Sequence, residues 1–250
     1  MSGHSKWSTI KRKKGALDAK RSKLFTRIIK EITVAVREGG PDPDGNPRLR
    51  LAIQNGKAAN MPKDNVERAI KKGSGADGEA YTEVSYEGYA SHGVAVFVEC
   101  LTDNLNRTVA NIRSAFSKHG GSLGTKGSLE FIFDRKGVFS LKLGDNKPLD
   151  EEEFTLEMID AGAEDVEFED DYVTVYCSME DFGALQKKTE EMHLEVENAE
   201  LQRIPRTTVA LDAEALRKVM KLIEVLEDDD DVQKVYHNIE LNEETWAALS

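Results

Sequence analysis

The chain is poor in cysteine: Cys100 and Cys177 are the only two in 250 residues, each inside an alternating apolar stretch and neither in a CxxC pair. That argues against a disulfide framework and predicts two buried free thiols. Long apolar runs are missing as well. The longest, Val94 to Val98, falls far short of the roughly 18 to 20 residues that cross a bilayer, so no membrane-spanning helix is expected. The opening MSGHSKWSTIKRKK is cationic with no apolar segment behind it, which predicts no secretory leader and a cytoplasmic protein. The five histidines, His4, His92, His119, His193 and His237, show no HExxH or other metal-ligand spacing. No serine occupies a GxSxG elbow, and neither cysteine has cationic neighbours that would activate it. The chain therefore reads as a non-enzyme with no catalytic residue, metal, cofactor or small-molecule substrate.

What the chain does have is charge, and it is segregated. The formal net charge is −12. Residues 1–72 hold 18 Lys+Arg against 7 Asp+Glu, a balance of +11, and the rest holds 16 against 39, a balance of −23. A basic head on an acidic body predicts that the head meets phosphate while the body maintains solubility and repels non-specific contact. With 39% hydrophobic residues the chain can fill real cores, and its length allows roughly one to three domains.

Residues 1–20 have almost no apolar period and read as a mobile basic arm. From Ser22 to Glu38 the apolar positions Leu24, Phe25, Ile28, Ile29, Ile32 and Val36 fall in an arc of about 140° at helical spacing, one amphipathic helix. Gly39 to Gly45 breaks it, and Asn46-Pro47 restarts helix with a cap and a proline at its first position. A third helix follows Met61-Pro62, with Asp64 and Glu67 resembling a capping box and Gly73 as its stop. After Gly73 to Gly78 the period drops from 3.6 to 2. Strands are expected over 81–89, 93–101, 128–133, 138–143, 165–168, 172–177, 194–201, 207–211 and 232–240, with helices over 104–119, 150–161, 179–192 and 212–227.

The order from 138 to 201 is βαββαβ, a ferredoxin-like unit, and removing it leaves a second βαββαβ around it. The predicted architecture is α+β and multidomain: a basic arm over 1–20, a helical domain over 21–78, a discontinuous ferredoxin-like domain over 79–135 and 205–250, and a second one inserted over 136–204.

Candidate binding residues are cations. Lys6, Lys11, Arg12, Lys13, Lys14, Lys20 and Arg21 lie in and beside the arm. Lys20, Lys23, Arg27 and Lys30 form a stripe about 80° wide, opposed to the apolar face of the first helix. An ordinary solvated helix surface is the bland alternative, but acids are nearly absent from the stripe, and clustered cations are the electrostatic footprint of nucleic-acid binding. Trp7 is a candidate for stacking on a base. Arg48, Arg50, Lys57 and Lys63 extend the basic surface around the second helix, where Met61-Pro62-Lys63 suits insertion into a groove and a plain turn equally. Arg107, a cation in the acidic body, is a candidate partner contact, although Asp103 and Asn104 beside it are explained by helix capping. Gly120 to Ser128 is no phosphate loop, because it has Lys-Gly-Ser and lies between a helix and a strand, so it reads as a flexible turn. Glu227 to Asp231 reads as solvated surface with weak affinity for Mg²⁺.

Several longer motifs occur in order: Gly3-His4-Ser5-Lys6-Trp7, Asp18-Ala19-Lys20-Arg21, Asn46-Pro47-Arg48-Leu49-Arg50, Asn60-Met61-Pro62-Lys63-Asp64-Asn65, Tyr86-Glu87-Gly88-Tyr89 and Leu101-Thr102-Asp103-Asn104. Together they resemble the YebC/PmpR family, which includes a mitochondrial translational activator of cytochrome c oxidase. The resemblance implies a helical domain with two α+β domains, and a regulator of gene expression whose partners are DNA, ribosomal RNA or both, with ribosomal proteins a further expectation. It implies a DNA-binding transcriptional regulator first. The alternative is a ribosome-associated translation factor that relieves stalling at stretches such as proline runs.

Overall fold

The computed structural model describes residues 17–75, 80–143, 150–169 and 171–240, with side chains from residue 22 onward. Three helices come first: α1 (Leu17–Gly39), α2 (Pro47–Ala58) and α3 (Lys63–Ser74). The Asn46 side chain caps α2 as expected, accepting from Leu49 N at 3.1 Å, and its amide donates to Ala35 O at 2.7 Å. Two details differ from expectation. α3 starts one residue before Asp64, with Pro62 at the cap position and no side-chain cap, so Asp64 serves its first turn rather than its cap. Gly73 lies inside α3 and not beyond it. A Cβ there would sit 2.8 Å from Thr33 O, so the bare glycine lets α3 close on α1. α1 itself begins at Leu17, inside the segment expected to be an arm.

The first sheet has β1 (Thr82–Tyr89) and β2 (Ala95–Thr102) as an antiparallel hairpin, β3 (Ser122–Leu123) beside β1, and β8 (Val232–His237) beside β2, in the order β3-β1-β2-β8. Helices α4 (Leu105–Lys118) and α7 (Ala213–Asp228) are joined with it in one apolar core, in which Val96, Val98, Phe116, Leu222, Ile223 and Val232 are buried. The second sheet holds β4 (Phe133–Lys142), β5 (Ala163–Phe168), β6 (Tyr172–Cys177) and β7 (Val196–Pro205) in the order β5-β6-β4-β7, with α5 (Glu151–Asp160) and α6 (Phe182–Glu191) as crossovers. Read as first to fourth strand, that order is 4-1-3-2 from the β7 edge, the ferredoxin-like arrangement. Phe139, Leu141, Phe154, Met158, Val175 and Leu185 fill its core. The α+β class with N-terminal helices and two antiparallel four-stranded sheets is as the sequence implied.

The first sheet reaches the same spatial order by a different route. Residues 126–132 are turn, where a strand was expected over 128–133, and 207–211 contributes only a parallel bridge from Val209 to Ile239. The vacant third position is taken by β1, from the N-terminal side. A carboxylate holds residues 127–129 as a turn. Glu87, 4% exposed, accepts from Gly127 N and Leu129 N, each at 2.7 Å, so these donors are satisfied without a strand ladder.

The described residues divide into two compact units, those within 1–30, 79–134 and 204–250 and those within 31–78 and 135–203. The first sheet belongs to the former, α2, α3 and most of the second sheet to the latter.

Candidate nucleic-acid interface

Lys6, Trp7, Lys11, Arg12, Lys13 and Lys14 lie outside the described residues, and Lys20 and Arg21 lie on α1 with side chains outside the description. The stripe that continues them is turned inward, which corrects the expectation of a solvent-facing surface. Lys23 Nζ meets Asp228 Oδ1 at 2.5 Å and Asp228 O at 3.2 Å. Arg27 donates to Glu227 O at 2.6 Å and Val232 O at 3.1 Å. Lys30 is 8% exposed, and its ammonium reaches Asp230 O at 2.6 Å, Leu101 O at 3.2 Å and Asp231 Oδ1 at 3.3 Å. Glu227 and Asp228 are the last residues of α7, where unpaired carbonyls and the negative pole of the helix dipole attract cations, while Asp230 and Asp231 follow it, Val232 begins β8 and Leu101 lies on β2. A stripe drawn from periodicity cannot tell phosphate from a helix terminus.

Asp231 is the hub of this cluster. Only 3% exposed, it receives Arg107 at 2.7 Å on Oδ2 and 2.8 Å on Oδ1, and Thr108 Oγ1 at 2.9 Å. Burial pushes its carboxyl pKa up, but the bonds from Arg107, Thr108 and Lys30 outweigh that and hold it below the ordinary aspartate range. The acidic run expected to be solvated surface therefore has its last member inside the fold. Arg107, expected to meet a partner, is committed within its unit to Asp231 and to Asp103 at 2.7 Å. Burial lowers the Arg27 pKa against the opposing pull of Glu227, Asp228 and Asp230.

In the other unit, Arg48 is held between Glu31 at 2.8 Å and Glu38 at 2.6 Å, so it organises the head rather than facing a ligand alone. Arg50 is half-buried, while Lys57 and Lys63 are exposed, Lys63 with only a loose 3.5 Å approach to Glu67 on the next turn. Exposed Arg68, Lys71 and Lys72 on α3 join them, cations that the motif reading passed over. Helical spacing from Lys63 would have found Lys71. The turn between α2 and α3 is built by Asn60 at φ 55° and by Met61 N donating to Gly56 O at 2.9 Å, which buries Met61 and leaves Pro62 and Lys63 outside. Met61 is thus an anchor of the turn, and insertion of that side chain into a groove is ruled out in this conformation.

Among the described residues no group of three His, Cys, Asp or Glu is placed to hold a metal ion, and no helix is long and apolar enough to cross a membrane. Burial pushes the thiols of Cys100 and Cys177 up to about 12, so neither is a nucleophile at neutral pH.

The model of the TACO1/YebC protein N-terminal domain matches residues 5–76, and that of the TACO1/YebC second and third domain matches residues 81–239. The chain belongs to the TACO1/YebC family. Among relatives of this family, a protein of Amoebophilus asiaticus is 61% identical over 98% of this chain and 100% of its own length. One of Rubrobacter xylanophilus is 52% identical over the whole of both chains. Each bears the name "Probable transcriptional regulatory protein". The crystal structure of a conserved hypothetical protein from Aquifex aeolicus superposes with a TM-score of 0.81 at 45% identity, covering 90% of this chain and 93% of that one.

Proposed function

We propose that this TACO1/YebC protein is a non-catalytic, nucleic-acid-binding regulator of gene expression, acting on DNA as a transcriptional regulator through its basic head. The charge division carries the reading: +11 over residues 1–72 and −23 over the rest. With Lys23, Arg27, Lys30 and Arg48 engaged inside the protein, the binding cations are those of the N-terminal segment, Lys6 to Arg21, together with Arg50, Lys57, Lys63, Arg68 and Lys71. They are spread along the chain and suit phosphate contact rather than base readout. The names of the relatives support transcription.

A second reading, a ribosome-associated translation factor in the same compartment, the cytoplasm, is favoured by the acidic body. Like charge repels long duplex DNA within about 8 to 10 Å at physiological salt, while a mixed surface of ribosomal RNA and basic ribosomal proteins accommodates it. Cross-linking in living cells followed by sequencing of the attached fragments separates the two. Recurrent promoter DNA supports the transcriptional reading, and enrichment of ribosomal RNA over promoter DNA rejects it in favour of translation.

A further inference from the structure

Helix α5 carries apolar side chains on both of its faces. Phe154 and Met158 are buried in the core of its sheet, while Leu156 and Ile159 are 64% and 50% exposed. At helical spacing Leu156 and Ile159 lie about 60° apart on the side opposite Phe154 and Met158, and as an i,i+3 pair they are surface neighbours.

The charge of the helix itself is all acidic. Glu151, Glu152, Glu153, Glu157 and Asp160 are its ionisable residues, and it has no Lys or Arg. One cation approaches from α6, Lys188, whose ammonium meets Glu157 at 2.8 Å. The other four acids are exposed. Glu152 lies one turn before Leu156 and Asp160 one turn after it, so the apolar pair stands inside an acidic frame.

An occupant of this face has to be apolar and cationic at once. A nucleic acid is repelled by the frame, and a second α5 brings only further acids. Within this chain, residues 1–16 meet the requirement. They hold Lys6, Lys11, Arg12, Lys13 and Lys14 and no Asp or Glu, with Trp7 and Ile10 three positions apart and cations on both sides of them. Sixteen residues span at most about 55 Å and α5 about 15 Å, so the segment is long enough to run the length of the helix.

We propose that α5 is the docking face for residues 1–16 of a second copy of this chain, with Trp7 and Ile10 on Leu156 and Ile159 and the cations on the surrounding carboxylates. Exchange between two copies fills both α5 faces and closes under two-fold symmetry. Docked cations are withheld from phosphate, so nucleic acid has to displace α5 to engage them. The dimer is the restrained form and the monomer the binding form. That competition rests on the function proposed for the head, whereas the docking does not.

The test uses the full chain without nucleic acid, in sedimentation velocity at about 50 mM and about 500 mM salt. A dimer is expected at low salt that dissociates as screening rises. Leu156→Ser with Ile159→Ser, both at exposed positions, is expected to weaken the dimer about tenfold or more with the melting temperature kept, and Trp7→Ala is expected to do the same. Benzoylphenylalanine in place of Trp7, in a mixture of isotopically heavy and light copies, is expected to cross-link to residues 151–160 of the other copy. At concentrations where the parent is dimeric, the α5 double variant should bind a DNA duplex about three- to tenfold more tightly in fluorescence anisotropy. A parent that is monomeric at both salt concentrations would leave α5 to a different cationic partner and overturn the proposal. A dimer unaffected by the α5 and Trp7 variants, or cross-links confined to one copy, would overturn it as well. Equal duplex affinity in parent and double variant would remove the competition. A parent that binds no duplex at all would refute the reading of the head, while the docking would still be decided by sedimentation.

Discussion

At the scale of single residues, two buried carboxylates do what the composition gave no reason to expect. Glu87 replaces a strand ladder by taking two backbone N–H groups. Glu87→Ala leaves both donors without their acceptor and is expected to cost about 2 to 4 kcal/mol in a urea titration, whereas Glu87→Gln keeps one acceptor oxygen and costs less. Asp231 carries a pH signature. Its folded pKa is below the value near 3.9 of an unfolded aspartate, so its contribution is fully present above about pH 4 and is lost as pH falls through the folded value. Melting temperature measured between pH 3 and pH 7 should drop below about pH 4. Asp231→Asn should be less stable at pH 7 and should show a shallower acid drop.

At the scale of elements, α1 illustrates how one helix is put to two uses. Val34, Ala35 and Val36 are buried with Ile32 and Thr33, a run of five consecutive positions that no surface helix would bury. Its cations upstream close on the carboxyl end of α7 and satisfy carbonyls there. Substitution therefore separates structural from ligand-facing cations. Lys30→Ala is expected to lose about 2 to 4 kcal/mol of stability, since it leaves Asp231 and two carbonyls with fewer donors, and to leave the salt dependence of nucleic-acid binding unchanged. Lys63→Gln on α3 should keep its melting temperature and lower the slope of log K against log salt by about one. The reverse pattern in equilibrium binding and thermal melts would reassign the interface to α1.

At the scale of the whole molecule, the charge division sets how the protein meets its partners. Positive charge is concentrated at the start, so attraction to phosphate within a Debye length rests on those cations, while the acidic remainder repels it. Deleting residues 1–16, which carry Lys6, Lys11, Arg12, Lys13 and Lys14, is expected to reduce the salt slope by about four while the far-ultraviolet circular dichroism of the remainder is retained. A slope unchanged by the deletion would place the phosphate contacts on α2 and α3.

The sequence by itself determined the α+β class, the three N-terminal helices, the second ferredoxin-like unit and the charge division, because periodicity and net charge are local sums that need no partner. It also carried the family, through motifs long enough to be specific. Tertiary structure alone decided what those motifs do. Tyr86-Glu87-Gly88-Tyr89 and the glycine-rich stretch from Gly120 are one clasp, with Glu87 and Gly127 brought together across 40 residues of chain. Lys23, Arg27 and Lys30 face a helix terminus about 200 residues away. The third strand of the first sheet comes from β1, which pairs with β2 from Thr82 opposite Thr102 to Tyr89 opposite Ala95, while 207–211 contributes only the bridge from Val209 to Ile239. A cation's partner and a strand's neighbour are both settled by contacts between distant parts of the chain, which no window of local sequence contains.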